Sequence, residues 1–361
     1  MKSGIVSYGT AIPRHRIDVH EIWKVWENVT PDIFDKMSFV ERAVLMPNED
    51  ALTLGVAAAE LALDRSGIDR GAVGALFFGT CTNPFDTKAT ATVAQDALGL
   101  RPDLFSYDLQ FGGKSGTSAV ISAVAYVEAG FADYALAIGA DTLNRHFPPG
   151  TQMEYSASAG AFACLVGREG VIAELEGFGS WASDLSDYHR VEGDRYIQLG
   201  GGWLGYVSNW GLLEHAVPAG KALLERLGLD PASDFDAVVL PQATGVQPMM
   251  VGGSLGFDVV TVMNSVLTSS IGDCGSAGAL IPLAQFLDYA DEGQRAFVCS
   301  YGYGAGSDAL CFRTTAALDG RRPSSGLVGF QLEDKTLVDY AHASKYEFKY
   351  LRPATLVSNY L

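Results

Sequence analysis

The chain is 361 residues long and 48% hydrophobic, enough to bury one large core or two similar ones. Its 25 Lys and Arg against 42 Asp and Glu leave a formal charge of −17, which repels phosphate backbones and anionic lipid and sets aside nucleic-acid and membrane-surface roles. Cys81, Cys164, Cys274, Cys299 and Cys311 are odd in number, widely spaced and without CxxC pairing, so they read as reduced thiols of a cytoplasmic protein, with no metal site expected.

The N-terminal MKSGIVSYGTAIP has one basic residue and is broken by Ser7 and Pro13, so it reads as a first strand and turn. VHEIWKVWE places Ile22, Trp23 and Trp26 at helical spacing on a surface helix. Asn48, Glu49 and Asp50 supply capping oxygens before ALTLGVAAAELALDRSG, a helix that Gly67 should end. Val73 to Phe78 is a short apolar run closed by Gly79, the pattern of a strand buried on both faces. Thr90 to Leu98 reads as a helix, Phe105 to Leu109 as a strand, Ser118 to Ala129 as a helix apolar almost all round, and Tyr134 to Ile138 as a further buried strand. Glu128, Gly130 and Asp133 interrupt the long apolar stretch from Ser118 to Ala140, so no membrane span is expected.

The second half replays this order. Tyr155 to Gly167 and Val171 to Leu175 look like strands, and the Trp/Gly-rich residues 177–205 look like an inserted active-site or interface segment. Ala216 to Leu227 reads as a helix, Asp236 to Leu240 as a buried strand, Ser276 to Tyr289 as a helix and Arg295 to Ser300 as a strand. GALFFGT parallels DAVVLPQAT, and YALAIGADT parallels AFVCSYGYGAGSDA, so the chain reads as a duplicated α/β fold with its site between the halves. The expected division is residues 1–170, residues 171–317 with the insertion, and a charged, aromatic tail over 318–361 that lacks a core stripe and packs on the core or a partner.

The organising stretch is FSYDLQFGGKSGT, where a short strand passes through Gly112 and Gly113 into the buried helix. Unpaired N–H groups and a partial positive charge at such a helix start stabilise an acyl-thioester oxygen or a nucleophile. Glycine itself brings no chemistry.

With SYGTAIPRHRI, NEDALTLGVAAAELAL, GALFFGT, DLQFGGKSGTSA, ALAIGADT, EYSASAGAFACLVG and SYGYGAGSDA in order, the chain resembles the thiolase superfamily, and within it the archaeal-type 3-hydroxy-3-methylglutaryl-CoA synthase branch. The resemblance implies a duplicated thiolase fold of two helix–sheet–helix halves, layered αβαβα, and a homodimer. It also implies where a site would be: Gly113 stands at the nucleophilic cysteine's position, Cys81 at the acid/base position, Pro241 at the histidine's and Asp273 at the asparagine's. With nucleophile, acid/base and histidine replaced together, no catalytic residue is expected.

FGGKSGT together with LFFGTCTNPFDTKATAT also resembles the synthase-like subunit of bacterial monoacetylphloroglucinol acetyltransferase complexes. That resemblance implies a non-catalytic subunit of a C-acyltransferase acting on acylphloroglucinol-type phenols. It would be assembled with a thiolase-type catalytic subunit and a small OB-fold, zinc-ribbon-like bridging chain that could carry zinc, with no cofactor in this chain. The alternative is an active synthase or ketosynthase III-like acyltransferase that uses coenzyme A thioesters through Cys81 or Cys274, and a third reading is a coenzyme A-binding regulatory module.

Single residues leave choices open. Cys81 is either a replacement nucleophile or a packing residue, and Cys274 takes the same pair of readings; packing is favoured because no histidine neighbours Cys81 in sequence. Asp273 is an acid or, better, a cap in the Gly272 turn. His189 fits a surface or interface position better than a catalytic one. Gly302, Gly304 and Gly306 imitate a dinucleotide fingerprint, but a strand-like LCFRTT follows where a helix is needed. Lys114 could hold a pyrophosphate or pair with a carboxylate.

Overall fold

The computed structural model describes residues 3–185, 187–200 and 206–350. β1 (Gly4–Ala11) leads to β2 (His15–Asp18), the helices α1 (Val19–Trp26) and α2 (Asp32–Met37), and β3 (Glu41–Val44). The helix α3 (Ala51–Ser66) starts at a capping box, in which Asp50 accepts from Thr53 N and the Thr53 hydroxyl accepts from Asp50 N. It ends at Gly67, φ 64°, a left-handed conformation that costs glycine little. Then come β4 (Val73–Gly79), α4 (Thr90–Ala97), β5 (Phe105–Leu109), α5 (Ser115–Glu128), β6 (Tyr134–Thr142) and β7 (Ala159–Gly167).

The second half runs through β8 (Ala173–Ala182), the hairpin of β9 (Tyr188–His189) and β10 (Gln198–Leu199), α6 (Tyr206–Leu227), β11 (Ala237–Val239), α7 (Val246–Leu255), α8 (Val259–Met263), α9 (Thr268–Ile271), α10 (Leu280–Tyr289), β12 (Arg295–Tyr301) and β13 (Gly306–Thr314). It closes with α11 (Ala317–Arg321), α12 (Val328–Glu333), β14 (Thr336–Leu337) and α13 (Tyr340–Tyr346).

Strand order shows the duplication. The first half is arranged β1-β7-β6-β4-β5 and the second β8-β13-β12-β11. In both, a parallel pair, β4 with β6 and β11 with β12, is followed by an antiparallel strand, β7 or β13. β4 and β11 thus hold equivalent places, as do β6 and β12, the pairs whose sequences run parallel. The halves are not separate sheets: Gly4 opposite Glu174 and Ile5 opposite Ala173 join β1 to β8 into one nine-stranded mixed sheet. α5 and α10 share the central core, through Ala119, Val120, Ala123 and Val127 of one and Leu280, Ile281, Leu283 and Leu287 of the other. α3 covers the first half and α6 the second from the sheet's other contacts.

Three features depart from the sequence reading. β8 runs through Ala182 into the supposed insertion, and α6 begins ten residues before Ala216 despite an internal Pro218. α7 was hidden by the glycines and proline of VQPMMVGGSL, yet buried Val251 and Leu255 anchor it, so packing overrides propensity. The tail carries no apolar stripe because its buried apolar residues, Leu318, Val328 and Ala343, are scattered, and its last buried groups are charged. Glu347 pairs with Arg42 at 2.5 Å, Lys349 with Glu154 at 2.5 Å and with Glu347 at 3.3 Å, all nearly or fully buried. Residues 336–337 also extend β2 in parallel. The tail therefore packs on its own chain up to residue 350; residues 351–361 lie outside the described residues.

Candidate active site

Residues 112 and 113 form the turn from β5 into α5 and are glycines for a steric reason. Gly112 has φ 56°, and a Cβ there would come within 2.4 Å of Gly302 O. A Cβ on Gly113 would meet Tyr301 O at 2.6 Å and the Tyr303 ring at 2.8 Å. The β12–β13 turn therefore presses directly on the start of α5, and the ring of Tyr303 occupies the space a side chain at 113 would need.

Tyr303 is held in that place at φ 54°, left-handed backbone that disfavours a large side chain. Two contacts offset this strain. Its hydroxyl donates to the Asp273 carboxylate at 3.0 and 3.1 Å, and its ring stacks on Tyr188 with centroids 4.5 Å apart. Asp273 also accepts Gly275 N at 3.0 Å. Burial pushes the Asp273 carboxyl up to about 6, although hydrogen bonds from Gly275 and Tyr303 work in the opposite direction. A carboxyl in that range is suited to proton transfer near neutral pH. Burial, then the Asp273 charge, holds both tyrosine hydroxyls protonated.

Gly113, Pro241, Asp273, Cys274, Tyr188 and Tyr303 line one cavity of about 40 Å³. The turn positions singled out in sequence thus converge, except Cys81. The space holds a few waters, since one needs roughly 10–15 Å³. An extended acyl chain does not fit without movement of the tyrosines. Tyr188, Tyr303 and Asp141 were absent from the sequence reading; only the tyrosine set between Gly302 and Gly304 offered a local signal.

Cys81 follows β4 and is half-buried, the one free cysteine among the described residues that is not fully buried. Like Tyr188 and Tyr303, it packs against the apolar cluster of Leu143, Phe147, Met153 and Ala157. Its S–H donates to Asp141 Oδ2 at 3.3 Å and its N–H to Asp141 Oδ1 at 2.8 Å. Asp141, at the end of β6, is fully buried and also accepts from Thr80 Oγ1, from Thr82 N and Oγ1, and from Ser276 N and Oγ. That one carboxylate ties the β4 and β6 ends to the turn before α10. Burial, then the Asp141 charge, raises the Cys81 thiol well above its usual value. Cys274 is fully buried, donates to Ala159 O at 3.4 Å and is pushed up to about 12 by burial.

Lys114 resolves to ion pairing: its ammonium is buried 2.7 Å from Asp308, which also accepts from Ser118 and Ser180. It therefore has no free face for a pyrophosphate. His189 on β9 is exposed, while its neighbour Tyr188 faces the cavity. Gly302, Gly304 and Gly306 make the β12–β13 turn, with β13 following, so no nucleotide-binding helix exists there. No cluster of three metal-ligating side chains occurs among the described residues.

No family model matches the chain. It is 37% identical over 346 residues to the hydroxymethylglutaryl-CoA synthase of Methanopyrus kandleri, covering 96% of this chain and 97% of that one. The chain belongs to the hydroxymethylglutaryl-CoA synthase family. The Methanocaldococcus jannaschii synthase is similarly close, 36% identical with 96% and 99% covered. The fold matches that of MvaS in complex with 3-hydroxy-3-methylglutaryl coenzyme A at a TM-score of 0.84, 20% identity, and coverage of 97% of this chain and 92% of that one.

These relatives correct one expectation. The non-catalytic subunit of an acylphloroglucinol acetyltransferase complex does not stand, because full-length similarity runs to proteins that are themselves named synthases. At the turn before α5 of this chain, Tyr303 and the Tyr301 carbonyl leave no room for a side chain at Gly113.

Proposed function

We propose that the chain is an acyltransferase acting on coenzyme A thioesters, with Cys81 as the acyl-carrying sulfur and Asp273 as the acid/base group of the condensation. The carrying observation is 37% identity along nearly the whole length of a hydroxymethylglutaryl-CoA synthase. Cys81 is the candidate carrier because it alone among the five cysteines is partly exposed, and it packs on the same apolar cluster as Tyr303 and Tyr188. In the acylation step the sulfur bonds to the acyl carbon, the C–S bond to coenzyme A breaks, and the thiol proton passes to the departing thiolate. Asp141 cannot serve freely as the base, since its lone pairs are already committed to seven donors.

Two further parts of the reading concern setting. β5 is the edge strand of the sheet, and Phe105 and Tyr107 on it are exposed beside Phe131; a second copy pairing there would cover them. The cysteine thiols suit a reducing cytoplasm.

The test is intact-mass spectrometry of the purified chain with acetyl-CoA at pH 8.5, followed by acetoacetyl-CoA. The expected result is one acetyl adduct, lost in Cys81→Ser and discharged by the second thioester. No adduct and no release of coenzyme A overturns the reading, as does turnover confined to a phenolic acceptor. A second reading, thioester binding without turnover, is favoured by Tyr303 filling the space at residue 113; saturable binding of acetyl-CoA with no released thiol would establish it.

A further inference from the structure

We propose that Ser183 and His215 form a second nucleophilic site, an acyl-accepting serine with its own base, outside the cavity at residue 113. Ser183 follows the last residue of β8 and is exposed, whereas His215 in α6 is buried. His215 Nδ1 lies 2.6 Å from the carbonyl oxygen of Gly211, one turn earlier. A carbonyl oxygen only accepts, so in the neutral ring Nδ1 carries the proton and Nε2 is left as an acceptor. Ser183 Oγ sits 2.7 Å from that Nε2, so the hydroxyl donates to it. Nucleophile, base and orienting group are thus in line, with a main-chain carbonyl in the orienting position that a carboxylate more often takes.

The imidazole is backed by Tyr301, whose ring centroid is 6.0 Å away and whose hydroxyl donates to Asp187 at 2.7 Å. Tyr301 also lines the cavity, so the dyad stands on the far side of a cavity wall and does not share its space. Trp181, two residues before Ser183 at the end of β8, is exposed and offers apolar surface to the non-reacting part of a substrate. The substrate class is a small acyl thioester or activated ester. Ser183 Oγ bonds to the acyl carbon and the bond to the leaving sulfur or oxygen breaks. The hydroxyl proton moves to Nε2 and then to the leaving group, giving a serine ester and a free thiol or alcohol.

The site does not depend on Cys81, and its test separates the two. The full chain is treated with a fluorophosphonate probe, which loses fluoride to an activated serine, and with p-nitrophenyl acetate. One adduct is expected on the peptide bearing Ser183, absent in Ser183→Ala and formed about a hundredfold more slowly in His215→Gln. An acetyl group on Ser183 should survive neutral hydroxylamine, which strips a thioester from Cys81. If His215→Gln does not fold, wild-type labelling must fall on Ser183 alone among the exposed serines and persist in Cys81→Ser. Absence of the adduct, its persistence in Ser183→Ala, an unchanged rate in a folded His215→Gln, or labelling spread over other serines overturns the proposal.

Discussion

A Cβ placed on Gly113 would lie 2.8 Å from Cζ of Tyr303, so the aromatic ring and a side chain at residue 113 exclude one another.

Gly113→Cys is accordingly expected to lower stability by about 1–3 kcal/mol, as overpacking of a filled site does. Tyr303→Gly suits the backbone at φ 54° and should relieve part of the cost. Urea unfolding of both single variants and the double variant should give a coupling above about 0.5 kcal/mol. Strict additivity would show that the two groups do not compete for the same space.

The pH dependence of Asp273 has a definite sign. Burial pushes its carboxyl up to about 6 in the fold from an ordinary 3.8, so between those values the folded state holds a proton that the unfolded state has lost. Stability contributed by this group is present below the unfolded value and is lost as pH rises toward 6. Asp273→Asn should flatten that slope and raise stability at pH 7 relative to pH 4.5, by an amount on the order of 2–3 kcal/mol. A slope unchanged by the substitution would place the proton elsewhere.

Alkylation of Cys81 by iodoacetamide should be slow at pH 7 and accelerate through pH 9, because burial and Asp141 hold the thiol protonated. Peptide mapping assigns the site. Fast labelling at pH 7 would mean that the Asp141 contact opens in solution.

The tail is part of the folding unit. Glu347→Ala would strand Arg42 in a fully buried position, which typically costs about 3–5 kcal/mol. Thermal unfolding measures it, and a loss under about 1 kcal/mol would show that water reaches the guanidinium.

Phe105→Glu on the edge strand should turn a dimer into a monomer without changing the circular dichroism spectrum, as read by size-exclusion chromatography with light scattering. A wild-type chain that is already monomeric removes the edge-pairing proposal.

Most of the element order was legible in the sequence, because helical spacing, the Asp50 cap, the Gly67 stop and short apolar runs closed by glycine are local signals. The duplicated order of strands was legible as well, and the resemblance to the synthase branch pointed to Gly113, Pro241 and Asp273, which line one cavity. What fills that place was not. Tyr303 against Gly113, Glu347 against Arg42 across 305 residues, and Ser183 on His215 across 32 residues are contacts between segments with no shared local pattern. Such contacts come into being only when the sheet brings distant turns together, because hydrogen bonding and close packing act over a few ångströms of space irrespective of separation along the chain.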